Sequence, residues 1–160
     1  MTHGGFTVGD VRYVVRRARR DDLAELVAML ADDPLGAARE HAPSAAYGSA
    51  FERIDADPNQ LLACLTTDPD GRVVGTLQLT VIAGLSRGGA LRGQIEAVRV
   101  HSEHRGRGVG TPFLQWAVEE LRLRGCVMAQ LTTDRSRVDA HRFYERLGFV
   151  DSHRGLKLAL

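Results

Sequence analysis

Short apolar runs, bounded by glycine, proline, asparagine or aspartate, predict the strands of this chain. The predicted strands are residues 12–17, 61–66, 73–82, 95–100, 127–133, 149–153 and 156–160. Residues 68–71 read Asp-Pro-Asp-Gly, which is typical of a hairpin turn, and they therefore join two of these strands directly.

Apolar residues at helical spacing predict helices between the strands. The first helix is capped by Asp21 or Asp22. Its apolar face consists of Leu23, Leu26, Val27 and Leu30. A second helix covers about residues 44–54, and the segment 33–43 before it is predicted as a loop.

Two further helices are predicted in the second half of the chain. The longer runs from near Gly108 to Arg124. The shorter begins after Ser136, which forms a capping box with Asp139, and ends at Gly148. The resulting order of elements is β-α-α-β-β-β-α-β-α-β-β, which implies a mixed sheet with helices on both faces.

The composition is that of an ordinary globular domain. The chain has 160 residues, 44% of them hydrophobic, and a formal net charge of +1. This length suffices for a core, and the composition indicates neither disorder nor a nucleic-acid-coating surface. The arginines from Arg16 to Arg20 are followed at once by acidic residues, so a solvated face is expected there rather than a nucleic-acid patch.

Residues 1–10, rich in glycine and polar residues, predict a flexible tail before one domain over residues 11–160. The tail has no apolar signal region, and no apolar run approaches the length of a membrane span. Cys64 and Cys126 lie in apolar strand-like runs, which is typical of buried thiols in a reducing compartment. A cytoplasmic protein with no membrane partner is therefore expected.

The glycine-rich segment Arg105-Gly106-Arg107-Gly108-Val109-Gly110 follows a predicted strand and opens a predicted helix. Such a turn exposes backbone N–H groups at a helix N-terminus, where the helix dipole favours negative charge. The segment is therefore expected to bind a phosphate or pyrophosphate. It is not a P-loop, because Thr111 and Pro112 stand where that motif needs lysine, and its glycine spacing is not that of a dinucleotide-binding fold.

The remaining pattern, Arg-x-x-Gly-x-Gly, resembles the pyrophosphate loop of the GNAT family of N-acetyltransferases. Residues 140–149, a short helix that carries Tyr144 and ends at Gly-Phe, resemble the second signature of that family. Glu96 on the preceding strand and the order of elements agree with it, so the resemblance spans roughly residues 12–160. It implies the GNAT fold, an α/β (α+β) structure with a mixed, mostly antiparallel central sheet of about seven strands.

The resemblance implies acetyl-CoA as cosubstrate and no metal. Backbone amides from Arg105 to Thr111 are expected to hold the pyrophosphate, and the strand residues 98–100 to bind the pantetheine arm. The expected coenzyme-binding residues are Val98, Arg99, Val100, Arg105, Gly106, Arg107, Gly108, Val109, Gly110 and Thr111. The arm is expected to enter a gap between this strand and the strand 127–133.

Acetyl transfer to an amine needs a base, because a lysine-like amine with a pKa near ~10.4 is protonated at neutral pH. Glu96 is the candidate base, through water, and Tyr144 the candidate acid for the departing thiolate. The N–H of Val98 is the candidate oxyanion donor. The sequence leaves open that Glu96 is a solvated strand residue and Tyr144 a core residue, and it contains no evident covalent nucleophile, which favours direct transfer in a ternary complex.

The C-terminal third resembles the aminoalkylphosphonate N-acetyltransferases, from Gln130 to Tyr144 and in the ending Lys157-Leu158-Ala159-Leu160. This resemblance implies a small amine that carries an anionic group. Guanidinium groups bind phosphonate well, so Arg87 and Arg92 are candidate substrate residues, together with Asp134.

Several alternatives stay open at this point. The acceptor is either a small molecule or a protein lysine or N-terminal amine, and a non-catalytic acyl-CoA-binding module is a third hypothesis. His101 and His104 have the spacing of a metal pair but lack a third ligand, which favours ordinary surface histidines. A homodimer is also open, because the predicted strands from Phe149 to Leu160 offer an edge for pairing.

Overall fold

The computed structural model describes residues 2–32, 34–38 and 40–160. Its centre is one sheet of six strands, ordered β1-β2-β3-β4-β5-β6 in space as in sequence. The strands are Thr2–Val8 (β1), Val11–Arg17 (β2), Gln60–Asp68 (β3), Val73–Ile82 (β4), Leu91–Val100 (β5) and Cys126–Leu131 (β6). Every neighbouring pair is antiparallel except β5 and β6, which are parallel. The predicted mixed, mostly antiparallel sheet is confirmed, with six strands in place of about seven.

The helices surround this sheet on both faces, as predicted. They are Leu23–Ala31 (α1), Pro34–Ala37 (α2), Ser44–Ala56 (α3), Ser86–Gly89 (α4), Gly110–Leu123 (α5) and Val138–Arg146 (α6). Two short 3-10 helices, Arg20–Asp22 and Ser102–His104, precede α1 and follow β5. In the described residues no helix is long and apolar enough to span a membrane.

Alternation along β3 separates two apolar cores. Leu61, Ala63 and Leu65 belong to the larger core, which α5 covers with its buried residues. Those α5 residues are Phe113, Leu114, Ala117 and Leu121. Burial of each leucine or phenylalanine stabilises the fold by about 1.5–3 kcal/mol. The packing of α5 therefore fixes the position of the glycine-rich segment that precedes it.

The opposite face of β3 packs against α1 and α3. Cys64 belongs to this second core, together with Leu26 and Met29 of α1 and Phe51 of α3. The predicted cap of the first helix was wrong, because Asp22 stands at the N-cap of α1 but its side chain caps no N–H of the helix. Its carboxylate instead accepts two hydrogen bonds of 2.7 Å from the Arg16 guanidinium and one of 2.6 Å from the Arg19 N–H. Burial alone would raise the pKa of Asp22, but these hydrogen bonds outweigh it and the pKa lies below its usual value.

The prediction of a flexible tail over residues 1–10 was wrong. Thr2–Val8 forms β1, an edge strand paired with β2 from Thr2↔Arg16 to Val8↔Val11. Its glycines obscured the alternation, but the Phe6 ring stacks on Tyr13 with centroids 5.5 Å apart and anchors the strand. Met1 lies outside the described residues.

The predicted strands 149–153 and 156–160 were also wrong. Residues 149–160 form no strand, and the side chains from Val150 to Leu160 are exposed. The alternation of Leu156, Leu158 and Leu160 has the period of a strand, but a strand also needs a hydrogen-bonding neighbour, and within the described part of this chain that segment has none.

Three local predictions differ in smaller ways. The predicted loop 33–43 contains the short helix α2, while Asp33 and Arg39 lie outside the described residues. The segment between the predicted strands 73–82 and 95–100 contains α4, and β5 already begins at Leu91. Ser136 does not cap α6, because its N–H and hydroxyl donate to the Asp134 carboxylate at 2.9 and 2.7 Å.

Candidate active site

The glycine-rich segment forms a tight turn over residues 105–109, between β5 and α5. Gly106 and Gly108 have φ angles of +72° and +85°, a region that residues with a Cβ rarely adopt. No atom of the described residues lies within 4 Å of where a Cβ would stand at either position. The turn therefore leaves open space on the side from which a ligand would approach its backbone.

The backbone N–H groups of residues 106–111 have no hydrogen-bond acceptor among the described residues. Val109, at the N-cap of α5, is in the helical conformation and its side chain caps nothing. These donors lie at the N-terminus of a 14-residue helix, where the helix dipole favours an anion. The arrangement is that of an anion-binding site and fits a pyrophosphate.

Two residues, His104 and Arg105, anchor this turn to the rest of the fold. His104, directly before it, is buried, and its Nδ1 lies 2.8 Å from the Tyr13 hydroxyl on β2. Arg105 donates from its guanidinium to the Val100 carbonyl at 2.8 Å and to the Asp32 carboxylate at 2.7 Å. The expectation that His104 is a surface residue was wrong.

Arg105 differs from the other residues predicted to bind coenzyme. Its backbone N–H already donates to the His101 and Ser102 carbonyls at 3.2 Å. Its side chain is engaged by Asp32 at the end of α1. The structure therefore places Arg105 as a brace of the turn, whereas the N–H groups of residues 106–111 face no acceptor.

The strand that precedes the turn carries a β-bulge. Gln78 of β4 pairs with Glu96, and Thr76 pairs with Arg99, so Ala97 and Val98 together stand opposite one residue of β4. Ala97 has a φ of +53°, which is strained for alanine. The bulge directly follows the candidate base Glu96 and includes the candidate oxyanion donor Val98.

From Glu96 onward, β5 separates from β6. The parallel ladder between them ends at Ile95↔Leu131, while β5 continues to Val100. The backbone of residues 96–100 therefore has no ladder partner on the β6 side. This is the gap in which the sequence predicts the pantetheine arm, and Val98, Arg99 and Val100 line its β5 side.

Tyr144 lies in α6, close to the turn. Its ring packs against Phe143 and Phe149 with centroids 5.3 and 6.0 Å away. Burial raises the pKa of the Tyr144 phenol, while Arg137 and Arg99 act in the opposite direction. Phe143 packs against the first residue of α5, because a Cβ on Gly110 would stand 3.3 Å from its Cζ. The two sequence signatures are therefore adjacent, and the phenol is protonated at neutral pH.

Glu96 is exposed on the face of β5 opposite α5. The neighbouring Gly93 and Ile95 face α5, since a Cβ on Gly93 would meet the Leu121 side chain at 2.4 Å. Glu96 therefore points to the open side of the sheet, immediately before the bulge.

The three predicted substrate residues do not converge. Arg87 and Arg92 line one cavity of about 220 Å³, together with Ser152, His153 and residues of β6. Asp134 lies in the β6–α6 loop, where it accepts hydrogen bonds from Ser136 and where its carbonyl oxygen lies 2.9 Å from His141 Nε2. Arg87 and Arg92 therefore share one cavity, whereas Asp134 stabilises its own loop.

Neither cysteine is arranged as a nucleophile. Both thiols are free, and burial raises the pKa of Cys64 to about 12. Burial also raises the pKa of Cys126. In the described part of the chain no group of three or more His, Cys, Asp or Glu side chains could hold a metal ion.

Comparison with known proteins identifies the family. The sequence model of the acetyltransferase (GNAT) family matches residues 12–149. The chain belongs to the GNAT family. GNAT acetyltransferases use acetyl-CoA, which agrees with the anion-binding turn and the gap between β5 and β6.

One similar solved structure covers almost the whole chain. The crystal structure of a protein from Bacillus halodurans C-125, described as a transcriptional regulator, superposes with a TM-score of 0.87 at 43% identity. The superposition covers 92% of this chain and 99% of the other. It confirms the fold predicted from the sequence.

Two curated relatives carry names that specify a reaction. The aminoalkylphosphonate N-acetyltransferase of Salmonella typhimurium is 38% identical over 84 residues, or 52% of this chain. The glucosamine 6-phosphate N-acetyltransferase of Trypanosoma brucei brucei is 35% identical over 92 residues, or 58% of this chain. The chain matches 54% and 60% of the length of these relatives, little more than half of each.

The residues that anchor the glycine-rich turn of this GNAT site were not predicted from the sequence. Tyr13 and His104 are 91 positions apart, and nothing near either of them indicates the other. Asp32, which braces Arg105, ends an amphipathic helix and has no motif around it. The sequence does not indicate the bulge at Ala97 either, because alanine is not a residue typical of a positive φ.

Proposed function

We propose that this protein is an N-acetyltransferase that transfers the acetyl group of acetyl-CoA to the primary amine of a small molecule. The observation that carries the proposal is the set of N–H groups at residues 106–111 without a protein acceptor, next to the gap beside β5. Membership of the GNAT family supports the reaction, and the names of two relatives support amines as acceptors.

The coenzyme-binding residues are those of the turn and of β5 beyond the bulge. The N–H groups of Gly106, Arg107, Gly108, Val109, Gly110 and Thr111 would hold the pyrophosphate, and Val98, Arg99 and Val100 the pantetheine amides. Arg105 holds the turn in shape. When bound, acetyl-CoA supplies an acetyl group activated as a thioester.

The residues of the chain supply the proton transfers. Glu96 accepts the proton that the amine must lose, through a water molecule, because it stands exposed on the open face. The Val98 N–H donates to the oxyanion. Tyr144 donates its phenolic proton to the departing thiolate. Transfer is direct, because neither Cys64 nor Cys126 is a thiolate at neutral pH.

The acceptor carries an anionic group. Arg87 of α4 and Arg92 of β5 line the same cavity, and β5 also bears Glu96. The two relatives are named for a phosphonate and for a phosphate, groups that guanidinium binds with paired hydrogen bonds. Asp134 is a weaker candidate for substrate contact than these arginines.

The charge, the thiols and the exposed C-terminal residues of the chain bear on its partners and its location. One similar structure is described as that of a transcriptional regulator, but this chain has only one more basic than acidic residue, which does not favour binding to the phosphate backbone of a nucleic acid. The free thiols support a reducing, cytoplasmic location. We also propose a homodimer formed through the exposed C-terminal residues 150–160.

The decisive experiment measures thiol release from acetyl-CoA with a panel of small amines, aminoalkylphosphonates and peptides. We expect release with anionic small amines, and a loss of turnover with preserved coenzyme binding in Tyr144→Phe and Glu96→Gln. The conservative variant Tyr47→Phe removes another tyrosine hydroxyl, which lies on α3 and donates to the Glu40 carboxylate at 2.7 Å, and should leave the rate unchanged. Turnover with peptides alone would favour a protein acetyltransferase, and tight coenzyme binding without any turnover would favour a binding module.

A further inference from the structure

On the face of the sheet that bears Glu96, one polar side chain per strand forms a continuous row across four strands. The row consists of Gln60 on β3, Thr80 on β4, Gln94 on β5 and Gln130 on β6, which pair in register as Gln60↔Thr80, Thr80↔Gln94 and Gln94↔Gln130. All four side chains are half-buried. We call these residues the polar row.

Hydrogen bonds fix the side chains of the polar row. Gln60 Oε1 accepts from Thr80 Oγ1 at 2.8 Å and from Gln78 Nε2 at 2.9 Å. Gln94 Oε1 accepts from Gln130 Nε2 at 2.7 Å. The side-chain N–H donors of Gln60 and Gln94 have no partner among the described residues. The side-chain carbonyl oxygens of Gln78 and Gln130 have none there either.

The residues of the polar row do not serve to pack the core. On the same face, Leu62 and Cys64 of β3 are covered by α1 and α3. The apolar pattern on this face stops at Gln60, directly after α3 ends at Ala56. From there to β6 the row itself is polar, although Ile82 and Met128 flank it on the same face. The other face stays apolar, with Leu61, Leu79 and Ile95 fully buried. A preorganised set of unused donors and acceptors, beside a candidate base, is suited to a ligand.

The polar row lies between the two groups that would recognise the acceptor. Glu96 is two residues beyond Gln94 on β5, and Arg92 is two residues before it, so both share its face. Arg92 and Glu96 are separated by about 13 Å along the strand. An arginine side chain shortens this span, which leaves room for several carbon atoms between the amine and the anionic group.

We propose that the polar row is the floor of the acceptor site and selects a polyhydroxylated amine with an anionic group, such as a phosphorylated amino sugar. The inference rests on the proposed function and specifies its substrate class. The amine lies at Glu96, the hydroxyl groups over Thr80, Gln94 and Gln130, and the anion at Arg92 and Arg87. A short aminoalkylphosphonate has no hydroxyl groups with which to satisfy the row, so its binding leaves these amides unpaired.

Four acceptors separate the two recognition elements. Glucosamine 6-phosphate carries hydroxyl groups and an anion, 2-aminoethylphosphonate only the anion, glucosamine only the hydroxyl groups, and ethylamine neither. We expect kcat/KM to fall in steps of about tenfold or more for each element removed, since each corresponds to at least one hydrogen bond to a preorganised or charged group. Glucosamine 6-phosphate should be the best of the four.

Variants assign each preference to its residues. Gln94→Leu should reduce kcat/KM about tenfold for the two glucosamine acceptors and little for the other two. Thr80→Val, which is nearly isosteric, should do the same more weakly and guards against misfolding of the first variant. Arg92→Leu should reduce only the preference for the anion. Gln115→Leu makes the same change at an exposed position of α5 and should alter neither preference.

The outcomes distinguish this inference from the proposed function. Equal or better turnover of 2-aminoethylphosphonate and ethylamine would overturn the inference and leave the acetyltransferase intact. A loss of turnover in Gln94→Leu that is equal for all four acceptors would likewise overturn it, because a merely structural row affects every acceptor alike. Absence of turnover with any amine, while acetyl-CoA binds, would overturn the proposed function and the inference with it.

Discussion

At the scale of single residues, the proposed pyrophosphate site depends on Gly108. Its φ of +85° and the empty space beside it allow a ligand to reach the backbone N–H groups. Gly108→Glu would add bulk and negative charge at that place, so we expect coenzyme binding to be lost by calorimetry while the fold is kept. Gly9→Glu is the matched control, because Gly9 also has a positive φ in open space but lies in the β1–β2 turn. Equal losses of binding in the two variants would contradict the assignment.

Another residue-scale prediction concerns His104 beneath the same turn. Burial lowers the pKa of His104, with Arg107 and Arg72 acting in the same direction. Because the folded pKa lies below the unfolded value of about 6.5, stability is fully present above that pH and is lost as the pH falls towards the folded pKa. His104→Gln, which does not titrate, should therefore flatten the decline in unfolding free energy between neutral and acidic pH.

Chemical denaturation at a series of pH values measures this slope. His41→Gln replaces an exposed histidine and should leave the slope unchanged. If His104→Gln declined as steeply as the parent, the histidine would not be the group that titrates. The sequence could not predict this site, because the burial of His104 depends on Tyr13, 91 residues away and on another strand.

At the scale of elements, the bulge in β5 stores strain next to the candidate base. Ala97 holds a left-handed φ of +53°, which costs an L-residue roughly 1–2 kcal/mol. Ala97→Gly should remove that cost and raise the free energy of unfolding by up to about 1 kcal/mol in urea, after the loss of backbone entropy. Ala129→Gly makes the same change on β6 at an ordinary φ and should lower stability by about 0.5–1 kcal/mol. Two equal losses would show that Ala97 is not strained.

Elements were predictable from the sequence where local pattern and tertiary packing agree. The helix α5 has a glycine-rich start, an amphipathic face and Gly125 at its end, and the structure places it at Gly110–Leu123. The strand β1 was missed because Gly4 and Gly5 interrupt its alternation, although Phe6 stacks on Tyr13. The strand prediction for residues 156–160 failed for the opposite reason, since the pattern is present and the hydrogen-bonding neighbour is not.

At the scale of the whole molecule, the two signatures could be predicted to share one site, but their supporting contacts could not. Family resemblance brought the turn at residues 105–110 and the helix of Tyr144 together, and the packing of Phe143 against Gly110 agrees with this. The polar row follows from the register of four strands, which no local pattern along the chain fixes. The sequence therefore predicted the proposed coenzyme-binding part of the site more readily than the proposed acceptor-binding part.

The exposed C-terminal segment gives the prediction that concerns the molecule as a whole. Leu156, Leu158 and Leu160 are exposed, and in an extended segment they form one apolar stripe, with Lys157 and Ala159 on the other side. Apolar residues left in water in such a stripe favour association, and Leu123 and Val127 expose further apolar surface around the start of β6. Light scattering coupled to size-exclusion chromatography should therefore show a dimer whose fraction rises with concentration.

Leu158→Lys should shift that equilibrium to the monomer, because it places a charge in the middle of the stripe. Ala159→Lys adds the same charge one residue away on the other side of the segment, and should leave the dimer unchanged. Because Ser152 and His153 line the cavity of Arg87 and Arg92, contacts of the segment in a dimer would also hold one wall of the proposed acceptor site. The Leu158→Lys variant should therefore show a higher KM for the anionic acceptor at an unchanged KM for acetyl-CoA. A parent protein that stays monomeric at every concentration would contradict the role of the stripe, whatever the kinetics of the variant.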